Sequence, residues 1–386
     1  MKNKFNFVIY TPKSDLWRSC HFHQKELISI YKKKLKNVIE VKCNQKNNYS
    51  NRLLFHFPKN INGATCNFYL ISPQLNYSEI AEHFLLMKGF RGSVIIHVYG
   101  NAFVEQKKLI KLIHIIQMNK WHLKLITPSL CLKRCLEFML QRSNGIFNIP
   151  FFQRESLPPR LAPKTNSSKC ITIGYAGRIE ESKNLHLLIQ LFRDKKIFKK
   201  YRLRIAGTFD YHIYTGTKKK LLLPYVQKIL KAYRTLPPEA KKRIEFMGQL
   251  NSRDMEKFYQ TIDLYINLST FYGEVYGLSL TEALSHQRQI LASAWGGFTE
   301  FRLPLSCLVP VRMTKSNNPK INLEEVKSKI INYNPKIKIP SQKRNFEKKK
   351  SFILALNSSL NLRPISPQII NKKNWSKIFI QATIKQ

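Results

Sequence analysis

Short apolar runs alternate with longer stretches of helical periodicity along the first part of the chain. "NFVIY" (6–10), "NFYLI" (67–71), "GSVIIHVYG" (92–100), "HLKLITPS" (122–129) and "NGIFNIPFF" (144–152) read as buried strands with helices between them. "LPPRLAPKTNSSK" (157–169) breaks the pattern with Pro, Ser and basic residues, as a linker does. The alternation then restarts. "CITIGYAG", "YRLRIAG", "RIEFMG", "DLYINLS" and "QILAS" are strands, and "NLHLLIQLF", "DMEKFYQTI" and the segment holding Glu282 are helices. Strand–helix alternation of this kind predicts an α/β chain of two doubly wound, Rossmann-like domains, each a parallel sheet covered by helices. The boundaries predicted are 1–160 for the first domain, 161–170 for the linker and 171–370 for the second domain. Residues 314–350, rich in Lys and Asn, read as surface, and "NWSKIFIQATI" (374–384) reads as a short amphipathic helix within a closing segment, 371–386. A length of 386 residues suits two cores rather than one.

Composition narrows the picture. No window approaches the run of about eighteen apolar residues needed to span a bilayer. The opening "MKNKFNFVIYTPKSD" is too short in apolar residues for a signal peptide and reads as a first buried strand. Seven cysteines without a C-x-x-C pair argue against a disulfide framework or a zinc site, and fit a reducing, cytoplasmic compartment. Cys131 and Cys135 share a helical face and are expected to be simply buried. The formal charge of +43 implies anionic partners: nucleic acid, an anionic membrane, or phosphorylated substrates.

Candidate chemistry lies where strands of such a sheet end, because ligands of doubly wound folds bind there. "STFYGEVYGLSLTEALS" (269–285) sets Glu274 and Glu282 eight apart, across Gly277, in a chain with 23 acidic and 66 basic residues. Gly277 allows a tight turn, and the amides near Leu278 would then form an anion site at the start of a helix. Ser279 and Glu282 also spell a capping box, which would use Glu282 only to tie down that helix; both readings stand. "GYAGRIEESKNL" places Arg178 and Lys183 after the first strand of the second domain. They could neutralise a diphosphate, or form a solvated surface pair. Asn184 falls where a left-handed residue would be useful.

"YAGRIEESKN", "RIAG", "IEFMGQL", "STFYGEVYGLSLTEAL" and "ASAWGGFTEF", in this order, resemble the donor half of retaining GT-B glycosyltransferases, glycosyltransferase family 4. The resemblance covers about 171–310 and includes the family's E-x7-E motif. It implies two Rossmann-like domains facing across a cleft, with the closing helix crossing back to the first domain. It also implies a metal-independent hexosyl transfer from a nucleotide-sugar, UDP- or GDP-linked, with no cofactor. Glu274 would hold the donor sugar, Glu282 the ribose, and Arg178 and Lys183, beside Gly177, the diphosphate. Met247, Gly248 and Leu250 would face the base, and Tyr276, Gly277 and Leu278 the sugar and phosphate. "GSVIIHVYGN" resembles the strand ending in an active-site histidine, which makes His97 either that residue or a satisfied histidine at a strand end. A cell-envelope glycan or lipid-linked acceptor, as in lipopolysaccharide or polysaccharide synthesis, would follow.

Two segments depart from the family. The first loop, "TPKSDLWRSCHFH", lacks the usual glycine pair, so either Arg18 and Ser19 supply the phosphate contacts or the loop does something else, and "HQRQI" (286–290) replaces a Gly-x-Pro turn. A degenerate, inactive copy is therefore one alternative. A basic nucleic-acid-binding protein is another, disfavoured because no RNP-like, zinc or helix-turn-helix motif occurs. Residues 251–300 also carry more acids than bases. Finally, "VEQKKLIKLIHIIQMNKW" (104–121) predicts a helix with Leu109, Leu112, Ile113 and Ile116 on one face. Lys107, Lys108, Lys111 and His114 lie opposite. With "YKKKLK" (31–36), that face could hold the protein at the inner surface of a cytoplasmic membrane.

Overall fold

The computed structural model describes residues 4–10, 18–42, 65–71, 75, 77–87, 91–100, 106–151, 170–209, 219–316 and 318–334. They fall into two compact units, one within 4–151 and one within 170–334. The expected linker, save Cys170, and the expected closing helix at 371–386 lie outside the described residues.

The first unit runs β1 (Lys4–Tyr10), α1 (Arg18–Lys34), β2 (Val38–Lys42), β3 (Thr65–Leu70), α2 (Tyr77–Leu86), β4 (Arg91–His97), α3 (Gln106–Met118), β5 (His122–Thr127), α4 (Leu130–Leu140) and β6 (Ile146–Asn148). Its sheet has the order β2-β1-β3-β4-β5-β6, and every pairing is parallel. Apolar residues fill both faces of the central strands, as a sheet covered on two sides requires. The polar exceptions satisfy one another. Asn6 donates to the Lys36 carbonyl and accepts from Asn67, which in turn accepts from Ser93 at 2.7 Å. On α3 the predicted apolar face is buried, joined by Ile115, and Lys107, Lys108, Lys111 and His114 are exposed. Cys131 and Cys135 are buried on α4, whose start is capped by Ser129 accepting from the Leu132 amide.

The second unit runs β7 (Ile171–Ala176), α5 (Leu185–Leu191), α6 (Lys195–Lys200), β8 (Tyr201–Ala206), α7 (Lys219–Arg234), α8 (Pro238–Lys241), β9 (Ile244–Gly248), α9 (Ser252–Thr261), β10 (Leu264–Asn267), α10 (Leu278–Ser285), β11 (Gln289–Ser293), β12 (Leu308–Val309), β13 (Val311–Met313), β14 (Pro319–Ile321) and α11 (Leu323–Ile331). Six of these strands form a parallel sheet ordered β12-β11-β10-β7-β8-β9. Strand order therefore reverses between β7 and β10, which is where such a sheet opens a crevice beyond its strand ends.

Residues 314–316 and 318–334, within the stretch read as surface, are mostly exposed or half-buried and carry regular elements as well. They complete the β13–β14 hairpin and form α11, which buries Val326 and Ile330 and receives a 2.6 Å hydrogen bond from Tyr201 Oη to the Ile330 carbonyl. Asn and Lys are frequent in the segment, but its apolar residues recur at helical spacing, and Asn322 caps the helix by accepting from Glu324 N. At 286–290, where the family resemblance led one to expect a Gly-x-Pro turn, Gln287 takes φ 58°. Buried Arg288 donates there to the Ile262 and His286 carbonyls.

Candidate functional site

The loops leaving β7 and β10 flank the reversal point of the second sheet. The first begins at Gly177 (φ 154°), whose amide donates to the Ala206 carbonyl. Gly207 follows β8 so closely that a Cβ there would stand 1.8 Å from the Gly177 carbonyl oxygen. Beyond Gly177 the chain makes a 3-10 turn, Glu181–Lys183, and enters α5 through Asn184 at φ 53°, the left-handed conformation the sequence suggested. Asn184 Nδ2 then reaches the second loop, donating to the Leu268 carbonyl at 2.9 Å and Thr270 Oγ1 at 3.0 Å. The Thr270 amide returns a bond to the Ser182 carbonyl at 2.7 Å. These hydrogen bonds, with one from Thr270 Oγ1 to the Ser182 carbonyl, fasten the loops together.

Four charged groups gather on this frame. Lys183 Nζ donates to the Glu274 carboxylate and to Ser269 Oγ at 3.1 Å, with the Lys183 and Glu274 side chains only 12% exposed. Burial pushes the Glu274 carboxyl upward. The Lys183 charge, hydrogen bonds from Lys183 and Ser269, and the Arg178 charge outweigh that and hold it below the usual carboxylate range. Arg178 Nη1 donates to Glu180 Oε2 at 2.9 Å, and Ser182 Oγ donates to the other Glu180 oxygen at 3.0 Å. The Phe271 ring lies under both cations, 5.6 Å from Arg178 Cζ and 5.5 Å from Lys183 Nζ.

After Glu274 the chain is held by Gly297 N donating to the Glu274 carbonyl at 2.8 Å. It turns into α10 at Gly277 (φ 78°), where a Cβ would meet the Phe298 ring at 2.4 Å. Tyr276 is buried with its ring tilted on Phe301, and Leu278, half-buried, opens the helix. The capping-box reading of Glu282 does not hold: Gly277 is the cap and makes no side-chain bond. Ser279 lies inside the helix, its Oγ accepting from Asn267 Nδ2 at 3.3 Å. Glu282 is exposed, one turn in, and its Oε2 accepts from Tyr259 Oη at 3.0 Å.

Met247 and Gly248 end β9, joined to the first loops by Gly207 N donating to the Gly248 carbonyl at 2.8 Å, and Leu250 follows half-buried. The second unit so brings Gly177, Arg178, Lys183 and Glu274 into one cluster, with Tyr276, Gly277 and Leu278 continuing from it. His97 belongs to the first unit, 4% exposed at the end of β4, with Nε2 2.7 Å from Tyr31 Oη. Burial lowers its pKa to about 3, so it is neutral. The loop after β1 falls largely outside the described residues, which resume at Arg18. Sequence reasoning missed Glu180, Ser269, Phe271 and Tyr259, whose roles come from tertiary neighbours; the carboxylate two residues after Arg178 was the available signal. Among the described residues no cluster of His, Cys, Asp and Glu could hold a metal ion.

Comparison with known proteins bears on the fold. Residues 160–302 match the family described as "Glycosyl transferases group 1". No curated protein matches the chain. Solved structures match along nearly its whole length at low identity. The apo form of the lipopolysaccharide outer core galactosyltransferase WaaB is 12% identical over 93% of this chain and 99% of its own, with a TM-score of 0.52. HepE from Anabaena, in complex with UDP, is 12% identical over 99% of both chains, also at 0.52. A trehalose-6-phosphate synthase structure is 9% identical over 98% of this chain and 99% of its own, at 0.55. The chain thus has the GT-B fold, and its residues 160–302 are similar to the group 1 glycosyl transferases.

Proposed function

We propose that the protein is a retaining glycosyltransferase that moves a hexose from a nucleotide-sugar, UDP- or GDP-linked, without a metal ion. The observation that carries this is the pairing of Arg178 and Lys183 with carboxylates at the sheet's reversal point, where an anionic ligand of this fold lies. In the reaction the bond from the anomeric carbon to the diphosphate oxygen breaks, and the acceptor oxygen bonds to the same face of that carbon. The acceptor's proton passes to the leaving phosphate. Arg178 and Lys183 stabilise the charge growing on that phosphate, the work a divalent cation does elsewhere. Glu274 takes sugar hydroxyls, Glu282 the ribose diol, and the backbone of Met247, Gly248 and Leu250 the base. Amides at Tyr276, Gly277 and Leu278 meet the sugar and phosphate. The UDP carried by the Anabaena structure accords with this donor class. A thermal-shift panel of UDP, GDP, ADP and their sugars tests it, since ligand at a hundred times its dissociation constant adds about 2.7 kcal/mol. Turnover that survives EDTA is expected; a strict need for Mn²⁺ or Mg²⁺ overturns the metal-free reading.

The acceptor we assign is a cell-envelope glycan or lipid-linked sugar presented at an anionic membrane. Exposed Lys107, Lys108, Lys111 and His114 on α3 support this, as do the lysines closing α1. Met118 (63% exposed) ends α3, and Leu86 (82%) ends α2, joined to the end of α3 by Asn119 Nδ2 donating to the Phe84 carbonyl. A basic face ending in apolar side chains suits a lipid headgroup layer better than a polyanion, to which the apolar ends add nothing. Flotation with anionic vesicles should recover the protein, high salt should release it, and Lys107, Lys108 and Lys111 changed together to Glu should weaken it. Equal binding to neutral vesicles, or tighter binding to random DNA, overturns the membrane assignment. No helix among the described residues is long and apolar enough to cross a membrane.

A further inference from the structure

Glu180 has no part in the donor contacts above, yet the loop spends a buried carboxylate on it. Of two adjacent glutamates, Glu181 is exposed and pairs with Lys228 at 3.0 Å, whereas Glu180 is only 8% exposed. Both Glu180 oxygens are engaged, one by Arg178 Nη1 at 2.9 Å and one by Ser182 Oγ at 3.0 Å. A buried carboxylate is tolerated only when partnered in this way. The guanidinium is consequently gripped between a carboxylate on one edge and the Phe271 ring, 5.6 Å away. Its own carbonyl is fixed as well, accepting from Tyr175 Oη at 2.6 Å.

Arg178 and Lys183 face Glu180 and Glu274, so the cluster is formally neutral before any ligand arrives. With Glu274 assigned to the sugar, Glu180, bonded to Arg178, would stand beside a diphosphate held by that arginine and repel it. We infer that Glu180 is a positioning residue that fixes the orientation of the Arg178 guanidinium and limits how tightly the diphosphate is held, so that the nucleoside diphosphate leaves after transfer. This rests on the reading of Arg178 and Lys183 as the diphosphate grip.

The test uses UDP and GDP as probes on the full chain, by calorimetry and as product inhibitors. In Glu180→Gln the amide oxygen still accepts from Arg178 and the amide nitrogen can donate to Ser182 Oγ, so orientation survives while the charge goes. A unit charge a few ångströms from a ligand in a half-buried site changes affinity by about one order of magnitude. Glu180→Gln is therefore expected to bind the better of the two probes about tenfold more tightly, with the inhibition constant and the donor KM falling in step. Glu180→Ala frees the guanidinium and should lose about tenfold in the single-turnover rate, which Gln restores. Should Glu180→Gln not fold, Glu180→Asp carries the test: it keeps the charge but cannot reach both partners, so the single-turnover rate falls with no tightening of the probe. Unchanged or weaker binding in folded Glu180→Gln, or a wild-type single-turnover rate in Glu180→Asp, overturns the inference. Failure of the wild-type protein to bind either nucleotide, or ADP, overturns the diphosphate reading itself.

Discussion

Lys183 donates to the Glu274 carboxylate across 91 residues of sequence, joining the loop after β7 to the loop after β10. One side chain thereby serves two ends, completing the electrostatics of the crevice and keeping a buried carboxylate charged. Lys183→Ala should lose on the order of 10²–10³ in turnover, as removal of one oxyanion donor does. It should also destabilise by about 3 kcal/mol, because Glu274 is left buried without its partner. Arg178→Ala should show a similar kinetic loss. Steady-state rates with urea denaturation check both, and wild-type turnover in either variant would remove that cation from the reaction.

The carboxylates should separate by kinetics. Glu282 is exposed and is not a helix cap, so Glu282→Gln should melt near the wild-type temperature while nucleotide-sugar binding and turnover weaken. Glu274→Gln should reduce turnover more than affinity for the free nucleotide, since Glu274 is assigned to the transferred sugar. Full activity in Glu282→Gln would take Glu282 out of the site.

Acid should unfold the protein through its buried histidines. Burial lowers His23 and His97 to about 3 and His186 to about 4, against an ordinary value of 6.5. Below pH 6.5 the unfolded chain takes protons that the folded chain refuses, so stability present above that pH is lost as pH falls toward 4. Each histidine contributes a slope of about 1.4 kcal/mol per pH unit in that window. Imidazole NMR titration reads this directly, and a His97 resonance titrating between pH 6 and 7 would contradict its burial against Tyr31.

Glycine substitutions should fall in a definite order. Gly207→Ala drives a methyl into the Gly177 carbonyl oxygen, backbone against backbone, and should abolish folding or donor binding. Gly277→Ala meets the Phe298 ring at φ 78°, where strain alone costs about 1–2 kcal/mol. Gly248→Ala also sits at positive φ, 65°, but has no atom within 4 Å, so it should cost about 1 kcal/mol. Melting temperatures rank the three, and equal loss at Gly207 and Gly248 would refute the close approach of the loops.

Strand order could not be read from one chain, but strand identity could, because buried parallel strands are continuous apolar runs. β1, β3 to β6 and β7 to β11 were visible in that way. β2, with the sequence VIEVK, is half exposed at a sheet edge and too polar to stand out. α7 carries Pro224, and α11 has charged residues at four of its nine positions. In the site, Arg178, Lys183 and Glu274 were legible because the order of motifs is distinctive. Glu180, Ser269 and Tyr259 were not, since each owes its place to a residue elsewhere in the fold.

Asn184 has a thermodynamic consequence for the ligand. Because it and Thr270 fasten the two loops before anything binds, the cations and Glu274 behave as one rigid body, and there is little backbone left to freeze on association. Nucleotide binding in this unit should therefore carry a small heat-capacity change and a modest entropic penalty, the calorimetric signature of a preformed receptor rather than one that folds around its guest.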